Sequence, residues 1–133
     1  MLIRVMYVST IASDLGVDAI TRLVAAAQRR NRQFDLTGAL LKCDGHFAQV
    51  LEGREEEVNR MMARISADPR HSDLHITHCG SISRRQFPDW DMAFIISLDC
   101  GSDVLGYLDK SVTPEQFMEA MVRYVEDKKQ APF

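Results

Sequence analysis

Three polar side chains on otherwise apolar patterns are the chemically suggestive residues of this chain: Tyr7, Asn31 and Gln49. Gln49 lies in Gly38–Gly53 (GALLKCDGHFAQVLEG), which reads as two strands joined at Asp44-Gly45, a dipeptide suited to a tight hairpin turn. On the second strand Phe47, Gln49 and Leu51 point one way, and His46, Ala48, Val50 and Glu52 the other. A carboxamide among large apolar neighbours needs partners for two N–H donors and a carbonyl, because burying it unpaired is costly. Taken singly, each of the three polar residues also fits a core group satisfied by backbone or water. Taken together on inner faces, they fit a cavity that binds a planar, hydrogen-bonding ligand.

Other clusters carry less chemistry. His71, His75 and His78 invite a metal, yet on a regular strand His75 and His78 face opposite sides and no Cys or carboxylate stands at matching spacing. No metal site is therefore expected. Arg29, Arg30 and Arg32 read as a solvated helix end, with a nearby phosphate as the alternative. There is no phosphate-binding glycine loop and no G-x-S-x-G, which argues against nucleotide hydrolases and α/β-hydrolases.

The elements that must position these residues follow in order. Residues 2–9 form a strand with Ile3, Val5, Tyr7 and Ser9 on one face. Residues 14–32 carry helical periodicity, with Ile20, Leu23, Val24 and Ala27 in one stripe and Asn31 in its middle. After the hairpin, residues 54–67 give a second helix with an acidic first turn and an inner stripe of Val58, Met61, Met62 and Ile65. Strands over 74–82 and 90–98 follow, the latter with Trp90, Met92, Phe94 and Ile96 on one face. The order β-α-β-β-α-β-β is α+β and ferredoxin-like: two helices on one face of a mainly antiparallel sheet. Beyond Asp99, Thr113-Pro114-Glu115-Gln116 starts a helix over 113–128 with a stripe of Phe117, Met121, Tyr124 and Val125. An open sheet face must be covered, so this C-terminal part is expected to pack on the face away from the first two helices.

Composition narrows the class. A net charge of −3 gives no support for nucleic acid or a membrane surface as partner, and no apolar run is long enough to span a bilayer. Arg4 interrupts the first apolar stretch, so the N-terminus reads as a strand rather than a leader. Three cysteines far apart (Cys43, Cys79, Cys100) read as free thiols in a reducing cytoplasm.

Five motifs in order carry a resemblance: Met6-Tyr7-Val8-Ser9, Asn31 with Leu36-Thr37-Gly38, Asp44 to Gly53, Asp68-Pro69-Arg70-His71-Ser72, and Arg84 to Met92. Together they resemble a BLUF domain, the blue-light sensor that uses flavin. The likeness covers residues 1–98 as a flavin-binding domain, leaving 99–133 as a C-terminal helical extension like that of short single-domain members. It implies noncovalent FAD, with FMN as the alternative. Leu23 and Ile65 would lie against the ring, Asn31 would bond its polar edge, and Arg30, Asp68 and Arg70 would reach the cofactor. Tyr7 would donate an electron and a proton, Gln49 would rearrange its hydrogen bonds, and Trp90 and Met92 would relay the change. The expected role is a photoreceptor signalling to a partner protein as a homodimer or larger homo-oligomer, not an enzyme. An acylphosphatase-like hydrolase and a small-molecule-sensing module on the same fold are the competing readings. Lys42 departs from the family habit of an aromatic residue, and Ala27 from serine in some members.

Overall fold

The computed structural model describes residues 1–97, 104, 106–107 and 111–130. The elements are β1 (Leu2–Ile11), α1 (Val17–Gln33), β2 (Thr37–Cys43), β3 (His46–Arg54), α2 (Glu55–Ser66), β4 (His71–Ser81), β5 (Ala93–Ile96) and α3 (Pro114–Gln130). The strands form one sheet in the order β4-β1-β3-β2-β5. All neighbours are antiparallel except β2 and β5, which run parallel. The first four strands with α1 and α2 give the expected ferredoxin-like α+β arrangement, and β5 extends it at the β2 edge.

Strand alternation divides the core between two faces. On one, Ile3, Val5, Tyr7 and Leu51 pack with Val58, Met61 and Met62 of α2, while Ile11, Leu40 and Phe47 pack with Ile20 and Val24 of α1. On the other, Met6, Val8, Ala39, Leu41, Ala48 and Val50 pack with Phe117, Met121 and Val125 of α3. The tail thus covers the second face, as its stripe requires. Its start is a reciprocal cap: Thr113 N–H donates to Gln116 Oε1 (2.9 Å) and Gln116 N–H to Thr113 Oγ1 (3.1 Å). The Tyr107 and Phe117 rings stack at 4.4 Å on this face.

At the other end of the sheet sits a buried carboxylate. Glu52 is fully buried and accepts from Arg4 Nε (2.9 Å) and Nη2 (2.8 Å) and from the N–H groups of Gln86 and Phe87 (3.0 Å each). A buried charge is tolerable only when so satisfied. These bonds, with Arg85 donating to Thr37 Oγ1 at 3.0 Å, tie the β4–β5 connection to the sheet.

Several boundaries and one face assignment differ from expectation. Helix α1 begins at Val17 rather than residue 14, and β4 begins at His71 rather than Leu74. Strand β5 spans only Ala93–Ile96, so Trp90 and Met92 precede it. Thr77 is an extra residue in β4, since Met6 pairs with His78 but Tyr7 with Ile76. Such a bulge resets the alternation. His75 and His78 therefore pair with Val8 and Met6, which share a face, and do not lie on opposite sides. Even so, no cluster of metal-ligating side chains occurs among the described residues. Cys79 is an exposed free thiol, but Cys43 is disulfide-bonded, so free thiols throughout is corrected there; Cys100 lies outside the described residues. Buried at the end of β2, Cys43 is shielded from solvent, a setting the sequence spacing did not reveal. Among the described residues no helix is long and apolar enough to cross a membrane.

The covered face yields a test. Met121 is fully buried. Met121→Ala should cost about 2–5 kcal/mol in urea unfolding, as large-to-small core changes do. A loss below about 1 kcal/mol would mean that α3 does not pack on the sheet as described.

Candidate functional site

The cross-strand register brings the first two candidate side chains together. Tyr7 of β1 is paired with Gln49 of β3, and both point to the face covered by α1 and α2. Each is 4% exposed, and the Tyr7 hydroxyl donates to Gln49 Oε1. The other end of the amide is poorly served. Gln49 Nε2 donates to the Met92 thioether at 3.7 Å, and sulfur is a weak acceptor.

Around this pair lies a cavity between α1, α2 and the sheet. Leu23 and Ala27 of α1 face Met61 and Ile65 of α2 across it, with Leu40 and Phe47 on its floor. Tyr7, Asn31 and Gln49 supply polar groups inside, and Arg30, Asp68, Arg70 and His71 supply them around the rest of the wall. Apolar side chains from two helices with a few convergent polar groups suit a flat ring with a polar edge. The donor set fits a flavin, whose ring edge both accepts and donates hydrogen bonds.

Each polar residue is positioned by its element. Asn31, on the buried side of α1, donates through Nδ2 to the Asp91 carbonyl at 2.8 Å. Asp68 and Arg70, just beyond α2, form a close pair, with Arg70 Nη2 2.6 Å from Asp68 Oδ2 and the Arg70 N–H donating to Asp68 Oδ1 at 2.9 Å. His71 bridges Ser9 and α2. Its Nε2 lies 2.7 Å from the Ile65 carbonyl oxygen, so it carries a proton, and in the neutral ring Nδ1 accepts from the Ser9 hydroxyl at 2.7 Å. Burial pushes the Tyr7 phenol well above its ordinary range, with the Asp68 charge adding to it, so Tyr7 stays a neutral O–H donor. The hydrogen bond from Arg70 holds the Asp68 carboxyl below its usual value and raises Arg70 in turn.

The expected cofactor-binding residues Leu23, Arg30, Asn31, Gln49, Ile65, Asp68 and Arg70 all line this one cavity, as does Tyr7. The expected relay pair is divided. Met92 is 4% exposed and reaches the cavity, whereas Trp90 packs toward the α3 face, its indole N–H buried without a hydrogen-bond partner among the described residues. A common face for Trp90 and Met92 is thus corrected: both precede β5, where strand alternation does not hold. Leu40, Phe47, Met61 and His71 are site residues that sequence reasoning did not assign. Leu40 pairs with Gln49 across the hairpin, so the register would have found it.

Comparisons with known proteins agree with this geometry. The family described as BLUF, sensors of blue-light using FAD, matches residues 2–93. A photoactivated adenylate cyclase subunit beta of Euglena gracilis is 32% identical over 90% of this chain and 15% of that protein. The blue light- and temperature-regulated antirepressor BluF of Escherichia coli (strain K12) is 41% identical over 65% of this chain and 22% of its own length. The chain thus spans less than a quarter of these two relatives. The dark-state structure of the BLUF protein BlrB superposes with a TM-score of 0.80 at 28% identity, covering 96% of both chains.

The Asp68–Arg70 pair sets an acid-side dependence. A depressed folded pKa contributes stability that is present above the ordinary value of 3.8 and lost as pH falls through the folded value. The Arg70 side chain is 43% exposed, so the contribution is below about 1 kcal/mol. In urea unfolding, Asp68→Asn should be slightly less stable than wild type at neutral pH, with the gap closing below the ordinary carboxylate range. A gap that stays constant with pH would remove the ionised pair from the stability of the site.

Proposed function

The chain belongs to the BLUF family, the sensors of blue light that use FAD, and on that premise we propose that Tyr7 and Gln49 are its photochemical pair. Family membership sets aside the acylphosphatase-like and small-molecule-sensing alternatives. The observation that carries the residue assignment is the buried Gln49 amide, bonded at Oε1 by Tyr7 and met at Nε2, among the described residues, only by the Met92 thioether. A carboxamide offers a donor and an acceptor on one planar group, so exchanging them rewrites its bonds without moving the backbone.

A bound flavin supplies the absorption of blue light and the capacity to accept an electron. The chain's own residues do the rest. Leu23, Ala27, Met61 and Ile65 hold the ring and exclude water, and Asn31 orients its polar edge. Asp68 and Arg70, with Arg30, meet the remaining polar parts of the cofactor. Tyr7, neutral and buried, is the donor of an electron and of the proton on its hydroxyl oxygen, which stands against Gln49 Oε1, and it takes both back once the amide has rearranged, so that no net redox change remains. Gln49 then turns or tautomerises, so that the group facing Tyr7 and the group facing Met92 change character. Met92, losing or gaining its contact with the amide, biases residues 90–92 and through them Trp90, which packs against the α3 face. The output is a population shift.

Residues 1–98 act as the flavin-binding domain and 99–133 as the extension that carries the signal outward. Within this chain the role is sensing rather than turnover, and the receiver is a separate protein partner. The antirepressor and cyclase relatives support a sensing role for the matching region, which in each is a small part of a much longer protein. A homodimer is the proposed assembly, two-fold pairs being the commonest. A cytoplasmic location is supported by the exposed Cys79 thiol, while the disulfide at Cys43 runs against it. Thiol titration of the denatured, unreduced protein checks the oxidation state of Cys43.

Gln49→Leu should bind flavin yet give no red-shifted absorption under blue light, and Tyr7→Phe should keep its yellow colour while losing the stable shift. Visible difference spectra check both. A normal shift in Gln49→Leu would remove that amide from the mechanism. A normal photocycle in Tyr7→Phe would require another donor, with Trp90 the nearest candidate by chemistry.

A further inference from the structure

Three polar side chains of α1 grip the segment before β5. Gln28 Nε2 donates to the Met92 carbonyl at 3.0 Å, Asn31 Nδ2 to the Asp91 carbonyl at 2.8 Å, and Arg32 Nε to Asp91 Oδ2 at 2.9 Å. Positions 28, 31 and 32 are three and four apart, so they share one side of the helix. From the sheet, the Gly38 N–H donates to the Trp90 carbonyl at 3.1 Å. Residues 90–92 are therefore suspended between α1 and β2, with the Met92 side chain aimed at Gln49.

The three contacts are not equal. Arg32 and Asp91 side chains are 69% and 34% exposed, and an ion pair so open to water contributes little. Asn31 lines the cavity, so altering it would also disturb whatever the cavity holds. Gln28 is partly buried, bonds the backbone of Met92 itself, and does not line the cavity. Its amide fixes the carbonyl of the very residue whose sulfur meets Gln49.

We propose that Gln28 is a positioning residue that holds Met92 against α1, so that the thioether faces Gln49 and the segment is released only when the Gln49 amide changes. This rests on residues 90–92 carrying the light signal. Without the Gln28 bond, the dark arrangement of Met92 is less favoured and its re-formation after illumination is slower. A hydrogen bond to backbone of this kind corresponds to a change of about five-fold in an equilibrium.

The test uses the full flavin-loaded chain as wild type, Gln28→Leu, which keeps bulk but removes the donor, and Gln28→Lys, which restores one. Three quantities are measured: flavin per protein with melting temperature, dark recovery rate after blue light, and hydrogen exchange of the Gly38 amide in the dark. The Gly38 amide reports whether the segment stays docked. Gln28→Leu should keep its flavin and cooperative melting, recover about three-fold or more slowly, and exchange Gly38 about five-fold faster. Gln28→Lys should bring both back to within about two-fold of wild type. Recovery and exchange unchanged in Gln28→Leu would overturn the proposal, and so would loss of flavin or of cooperative melting, which would make Gln28 a structural residue. Should wild type itself show no photoproduct, the photosensor reading fails, and Gly38 exchange in Gln28→Leu still decides whether Gln28 holds the segment.

Discussion

A buried carboxamide on the middle of the sheet needs bonded partners, and the β1–β3 register supplies the first. Tyr7 stands opposite Gln49 because the two strands pair residue for residue from Leu2–Arg54 to Thr10–His46. A slip of one residue would turn Gln49 to the α3 face and bring Ala48 or Val50 into the cavity. The Asp44-Gly45 turn guards the β2–β3 register against such a slip, with Asp44 accepting a positive φ of 50° and the Gly45 carbonyl taking the Ile11 N–H at 2.8 Å. Gly38 contributes a second constraint, since a Cβ there would collide with the Val50 carbonyl oxygen. Local backbone chemistry thus decides which side chains reach the site.

The sheet separates the cavity from α3. Its α1/α2 face carries the cavity, and its other face is buried by α3 through Phe117, Met121 and Val125. The short segment before β5 is where the two meet: Met92 belongs to the cavity and Trp90 to the α3 side. Its anchors differ in strength. Glu52 and Arg85 fix the upstream connection through largely buried, charge-assisted bonds, whereas residues 90–92 hang on single hydrogen bonds, one solvent-open ion pair and a thioether contact. Among the described residues the buried Trp90 indole N–H has no hydrogen-bond partner, which makes its placement less favourable.

Much of this was legible in the sequence because it follows from strict periodicities. The alternation along β1 and β3 put Tyr7 and Gln49 on one face, and the α1 and α2 stripes put Leu23, Asn31 and Ile65 toward them. The Thr113–Gln116 cap and the Phe117 stripe likewise placed α3 on the open face. What escaped depends on departures from periodicity. The bulge at Thr77 reset the faces of His75 and His78, and the irregular residues 83–92 broke the parity that had joined Trp90 to Met92. His71 escaped for another reason: its role comes from Ser9 and the Ile65 carbonyl, partners distant in sequence or on the backbone.

The most direct measurement is a light-minus-dark infrared difference spectrum of the flavin-loaded protein, recorded with and without isotopically labelled glutamine side chains. Rearrangement of the Gln49 amide predicts label-sensitive amide bands, absent in Gln49→Leu, together with a shifted ring carbonyl and an oxidised flavin. A difference spectrum insensitive to the label, or one dominated by bleaching of the flavin, would contradict a hydrogen-bond switch at Gln49.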